Sequence, residues 1–374
     1  MERLATVQGP ILMGVMALAG LAIGLIIHFL GNPGEIALIV DNIHSRNGRL
    51  DVTRNPSMLA SSLISIAAGG SAGPEAPLVQ VTGSFGTWFA DRLHLQGEDL
   101  RSLSLAGMAA GFTALFGAPL GGAFFALEIL HHQHIVEYYE ALMPAIIASC
   151  ASYLVFAAIT NLGISPTWHF PQYTLANIND FAWAMGFGIL GAMAGWLFIA
   201  IFRICDRLFA QLRGPIYIRT TLAGLVLGGF ATVAPLTRFF GHDELTEVIS
   251  LNLSVSTLLS LAVLKLASIS TTVIGGWRGG FIIPLFFVGA CIGKAIALSV
   301  PSINPAFAMI CTMAALNAAV TRTPISTTLL LAKLTEVGPL TPILFASLTG
   351  FFLAPKTPFI TAQLKVQEEA IMGD

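Results

Sequence analysis

The chain has 374 residues, of which 55% are hydrophobic and only 10% charged, with a mean hydropathy of +0.79 and a formal net charge of −2. Ordinary soluble domains carry about a quarter charged residues, so this composition cannot cover a water-facing surface, and its charge gives no basis for binding nucleic acid. The expectation is an all-α, polytopic membrane protein.

In chain order, residues 10–30, 141–160, 181–202 and 251–266 are predicted spans, since about 20 apolar helical residues cross a hydrocarbon layer of roughly 30 Å. Residues 1–30 begin with little charge and contain no small-residue cleavage site, and read as a retained first helix rather than a signal peptide. Cys150, Cys205, Cys291 and Cys311 are scattered through apolar segments and read as packing residues. His131, His132, His134 and Glu137 read as a helix end in the interfacial region rather than a zinc site; no metal and no cofactor is expected. Residues 168–180 and 241–247 read as loops, and the residues after Lys365 as a short charged tail without a regulatory domain.

Two parts of the sequence look like copies of one unit. The first half holds AAGGSAGPEAPLVQVTGSFG followed by MAAGFTALFGAPLGGAFFALE; the second holds VIGGWRGGFIIPLFFVGACIG followed by MAALNAAVTRTPISTTLLLAKLTE. Met108 precedes Pro119 by 11 residues and Met313 precedes Pro324 by 11, while Pro77 to Pro119 is 42 and Pro284 to Pro324 is 40. Gly and Pro interrupt the apolar runs at 69–77 and 117–122 in one copy and at 275–284 and 321–324 in the other. A break in lipid leaves backbone groups unpaired, so it is tolerated where protein buries it or where it lines a wet cavity. Interrupted helices at matching positions of two halves point to a transport site.

The physics of such a site favours anions. Backbone N–H groups at a helix N-terminus carry roughly half a positive charge, and glycine lets a ligand approach that backbone. Glu75, between Gly73, Pro74 and Pro77 inside an apolar stretch, is costly to bury charged. Burial opposes its ionisation and helix N-termini favour it. Such a carboxyl can occupy an anion site as a surrogate ligand, or take a proton and swing away.

With these segments in view, the chain resembles the CLC family of anion channels and proton-coupled anion exchangers. GSAGPEAPLVQ is similar to that family's G-[KR]-E-G-P segment, GAPLGGAFFALE to its N-A-P-L-A-G-x-x-F-x-x-E helix, and GGFIIP to its G-x-F-x-P segment. The resemblance implies two inverted repeats of tilted, partly spanning helices. They form a single transmembrane domain over residues 1–374, with halves at about 10–206 and 214–364, assembled as a homodimer in the cell membrane with one pore per subunit. Glu75 takes the position of the gating glutamate and Glu128 that of a glutamate on the inner path. Gly73, Ala76 and the backbone amides of Ile282 and Ile283 fall where the family holds its anion. The implied cargo is chloride, with fluoride as the alternative, and a proton where the protein is an exchanger.

Several positions depart from the family pattern. Asn32, in a Gly-Asn-Pro segment, stands for the serine that contacts the central anion, which is similar to the fluoride-exporting branch; against that branch, Phe281 stands where a glutamate often follows the second-half glycine pair. Phe359 replaces the pore tyrosine and loses its hydroxyl donor, and Ile129 replaces the inner proton-transfer glutamate. A membrane-embedded enzyme is not expected, because Glu75 lacks a nucleophile, a His/Asp pair or a metal set. A carrier of larger organic anions would need a midplane cation, and Arg278 and Arg322 are expected at the membrane surface.

Overall fold

The computed structural model describes residues 9–34, 48–129, 135–160, 166–171, 173, 178–335 and 340–360. His131, His132, His134, the side chain of Glu137 and the tail after Lys365 lie outside the described residues. Fourteen α-helices are described: α1 (Pro10–Leu30), α2 (Asn55–Ala68), α3 (Glu75–Arg92), α4 (Gly97–Phe116), α5 (Pro119–Glu128), α6 (Ile135–Thr160), α7 (Asn179–Ala210), α8 (Ile216–Val233), α9 (His242–Ser250), α10 (Val255–Ile274), α11 (Ile282–Ser299), α12 (Pro305–Thr321), α13 (Pro324–Thr335) and α14 (Leu340–Phe352). All four expected interruptions separate consecutive helices, and the pieces beyond them run 18, 10, 18 and 12 residues in α3, α5, α11 and α13.

Among the described residues six helices, α1, α6, α7, α8, α10 and α11, are long and apolar enough to cross a membrane. Four of these carry the predicted spans. α8 escaped because Arg219, Thr220 and Thr221 interrupt its apolar run, and α11 because Pro284 and Lys294 do. The span expected at 251–266 begins instead at Val255, since the Ser254 hydroxyl accepts the Thr257 N–H at 3.1 Å and caps the helix there. The segment 241–247, expected as a loop, lies largely in α9. Gly241, at φ 95°, enters the helix, Asp243 and Glu244 face its positive N-terminal end, and Leu245 and Val248 bury one face at i,i+3 spacing.

The chain divides into two compact units that interleave its halves. The first comprises Met1–Pro33, Thr53–Pro77 and Trp196–Met309. Its core joins Leu12, Met16, Ile23 and Ile27 of α1 to Ala223, Leu227 and Ala231 of α8 and to Trp277, whose indole N–H donates to Thr220 O at 2.9 Å. The two helices approach at small residues: a Cβ on Gly20 would overlap the Thr220 carbonyl, and one on Gly224 the Met16 carbonyl. Two buried lysines fix α9 in this unit. Lys265 Nζ donates to the carbonyls of Thr237, Arg238 and Phe239 at 3.2, 3.2 and 2.8 Å, ahead of the helix. Lys294 Nζ donates to those of Val248, Ile249 and Leu251 at 2.7, 3.0 and 2.7 Å, at its end. These cations are kept inside an apolar core because backbone oxygens replace their water.

The second unit comprises Gly34–Val52, Leu78–Gly195 and Ile310–Asp374. Here α3 and α4 meet through Gly86 and Gly107, whose added Cβ atoms would overlap the Leu103 and Thr82 carbonyls. Thr321, Thr323 and Thr327 link hydroxyls at 2.6 and 3.1 Å inside this unit. The Thr167 and Trp168 N–H groups both donate to Leu334 O at 2.9 Å, tying the loop before α7 to the end of α13.

A candidate anion site at the paired helix breaks

The two copies repeat each other down to their hydrogen bonds. α2 ends at Gly69, φ 102°, whose N–H donates to Ile66 O while Gly70 N–H donates to Ser65 O. α10 ends at Gly276, φ 88°, whose N–H donates to Val273 O while Trp277 N–H donates to Thr272 O. Both are Schellman caps, which need a left-handed residue and so favour glycine. Four residues further on, Gly73 and Gly280 exchange both backbone hydrogen bonds, Gly73 N–H to Gly280 O at 2.8 Å and Gly280 N–H to Gly73 O at 2.7 Å, as an antiparallel bridge. An antiparallel pair of this kind has local two-fold symmetry, and the residues it joins are equivalent positions of the repeat. Two residues later each chain enters a helix, α3 at Glu75 and α11 at Ile282.

The bridge therefore sets two helix N-termini beside each other, and the Glu75 side chain lies there, 0% exposed. Its Oε1 accepts the Ile283 N–H at 3.0 Å, and Oε2 has no hydrogen-bond partner among the described residues. Glycine makes the room: a Cβ on either Gly73 or Gly280 would overlap Oε2. Ala76, Ile282, Ile283 and Phe281 are all buried around it, and Phe281 faces the ring of Phe198 at 6.5 Å between centroids. The site thus supplies a helix-end amide and, at Gly73 and Gly280, backbone without side chains, which suits a negatively charged occupant.

Asn32 belongs to the same unit. It is exposed, beside buried Pro33, and its Oδ1 accepts from an Arg278 guanidinium N–H at 2.9 Å. The preceding Gly31 carbonyl accepts from the Ser57 hydroxyl at 2.6 Å. Arg278, expected at the membrane surface, is only 4% exposed: it lies in the loop between the α10 cap and the glycine bridge, and holds Asn32. The sequence signal for this was available, an ionisable residue amid four glycines and apolar residues. Lys265 and Lys294, also embedded in apolar helices, carry the same signal.

Glu128 and Phe359 belong to the second unit. Glu128 ends α5 and binds the start of α13, its Oε1 accepting Ile325 N–H at 3.1 Å and its Oε2 accepting Ser326 N–H at 2.7 Å and Ser326 Oγ–H at 2.6 Å. The next residue, Ile129, is 1% exposed. Phe359 is half-buried, a few residues after Pro355 and Lys356, whose carbonyls accept from Arg322. Arg322 is partly buried and adopts φ 62°, the value also found at Gly117, its counterpart two residues before the helix-starting proline of the other copy.

Comparison with known proteins gives the family. The model of the voltage gated chloride channel family matches residues 19–355. The chain is 26% identical over 373 residues to a chloride/fluoride channel protein of Pseudomonas syringae pv. tomato, covering 95% of this chain and 78% of that one. It is 28% identical over 318 residues to the putative ion-transport protein YfeO of Salmonella newport, covering 83% and 75%. Its fold is similar to the crystal structure of a CLC-type fluoride/proton antiporter, with a TM-score of 0.84 at 19% identity over 95% of this chain and 88% of that one. A slow cyanobacterial Cl−/H+ antiporter gives 0.80 at 21% identity over 97% and 88%. With the interrupted helices and glycine bridge in the order its sequence motifs require, and a family match across most of its length, the chain belongs to the voltage gated chloride channel, or CLC, family of multi-pass integral membrane proteins.

Proposed function

We propose that this anion-transporting membrane protein passes chloride along a path that the Glu75 carboxyl blocks or opens. The observation that carries the reading is the buried carboxyl accepting the Ile283 N–H at 3.0 Å between two helix starts, where an anion would find the same donors. When the carboxyl is protonated or displaced, the Ile282 and Ile283 amides become available to a passing anion. Gly73 and Ala76 from the first copy complete that position, and Asn32 and Phe359 contribute to the path elsewhere. Glu128 is assigned to the inner proton route, with Ile129 beside it in place of the usual acid, so a proton needs water or another group there. The homodimer, with one such path per subunit, is part of the same proposal, as is a transporter rather than an enzymatic role for Glu75.

Purified protein in liposomes tests this. Chloride and fluoride efflux are followed together with external pH. Chloride should leave faster than through empty vesicles, uphill proton movement driven by the anion gradient marks an exchanger, and fast efflux without it marks a channel. Glu75→Gln should abolish proton coupling and pH-dependent gating. Wild-type transport and pH response in that variant would overturn the role of Glu75, and fluoride moving in place of chloride would overturn the ion.

A further inference from the structure

We propose that Arg278 is a positioning residue that sets anion preference by fixing which end of the Asn32 amide faces the anion path; this rests on Asn32 lining that path. An asparagine side chain is ambivalent toward an anion, since one end carries two N–H donors and the other a carbonyl oxygen that repels negative charge. Its terminal torsion is broad and roughly two-fold, so an unsupported amide presents either end. Arginine has five donors and no acceptor, so the atom it meets at 2.9 Å must be Oδ1. With Oδ1 pinned to Arg278, the donor end is turned the other way.

The surroundings make this a fixed arrangement. Arg278 is 4% exposed, and its neighbour Trp277 is locked by the Thr220 carbonyl at 2.9 Å. On the other side Gly280 is locked by the bridge to Gly73. The Asn32 backbone is held through Gly31, whose carbonyl takes the Ser57 hydroxyl at 2.6 Å. Arg278 therefore connects the Asn32 turn to the loop that delivers the Ile283 amide to Glu75. A guanidinium is fully charged at any physiological pH, so it also places a permanent positive charge behind the amide.

An oriented N–H donor favours the smaller anion, whose concentrated charge makes the stronger hydrogen bond. Loss of Arg278 should therefore weaken fluoride more than chloride. The test is isothermal titration calorimetry of the purified protein with sodium fluoride and sodium chloride, reading the ratio of the two dissociation constants. Arg278→Met, similar in reach but without donors, should shift that ratio about tenfold toward chloride. Arg278→Lys, which keeps the charge and a donor, should shift it much less. In an Asn32→Ala background, Arg278→Met should add nothing further. Where Arg278→Met does not give monodisperse protein, Arg278→Gln carries the same expectation, since glutamine can meet either end of the amide. An unchanged ratio in the Arg278 variants beside a changed ratio in Asn32→Ala overturns the positioning role alone. An unchanged ratio in Asn32→Ala overturns the reading of Asn32 itself, and a wild-type protein that binds neither ion overturns both.

Discussion

Gly73→Ala isolates the Glu75 carboxyl from everything around it. Gly73 does not have positive φ, so alanine is allowed by the backbone. The nearest atoms to an added Cβ all belong to the Glu75 carboxyl group, with Oε2 overlapped and Cδ and Oε1 at 2.8 and 2.9 Å. The clash is relieved by moving the carboxyl, the flexible end of that side chain. Moving it gives up the hydrogen bond from Ile283 N–H, and a hydrogen bond to a charged group is worth about 1.5–3 kcal/mol. The balance between the seated and displaced carboxyl should therefore shift about 10- to 100-fold toward the displaced form. In liposome efflux, Gly73→Ala should resemble Glu75→Gln, with faster or uncoupled chloride movement that no longer follows pH, while its thermal midpoint stays near wild type. A Gly73→Ala protein that folds and keeps the wild-type pH response and coupling, beside a Glu75→Gln protein that loses them, would refute the seating of the carboxyl between the helix starts.

Two further outcomes test the scaffold. Lys265→Met should lower stability by about 3 kcal/mol, because the carbonyls of Thr237, Arg238 and Phe239 lose a charged donor in a buried place; thermal unfolding in detergent reads it, and an unchanged midpoint would show that the lysine does not hold this turn. At position 322 an arginine occupies the left-handed region at φ 62°. Arg322→Gly should be more stable than Arg322→Ala by about 1 kcal/mol, both having lost the bonds to Pro355 and Lys356; equal midpoints would refute the strain.

The repeat was legible because its signals are backbone signals. Gly69, Gly276 and the prolines at 77, 119, 284 and 324 mark helix ends whatever packs on them, and each break expected from them separates two helices. What escaped depended on tertiary context. α9 is only nine residues long, short of what folds alone, and its two ends are tied by Lys265 and Lys294 from distant parts of the chain. α8 and α11 carry Arg219 and Lys294, which lower the apparent fitness of a span when read singly. The burial of Arg278 likewise depends on a distant partner, a carboxamide oxygen 246 residues away in sequence that accepts its N–H.

The repeat also explains why the cradle holds a single glutamate. The two-fold arrangement at Gly73 and Gly280 brings two equivalent helix starts together, and each copy contributes one glycine that leaves space for the same Oε2. The position equivalent to Glu75 in the second copy is Ile282, buried at 1% exposure. Two carboxyls in that space would repel, and one would have to remain protonated. With isoleucine in one copy and glutamate in the other, the amides of both helices serve one negative group at a time. The symmetric backbone makes the cradle; breaking the symmetry at one side chain leaves a single carboxyl in it.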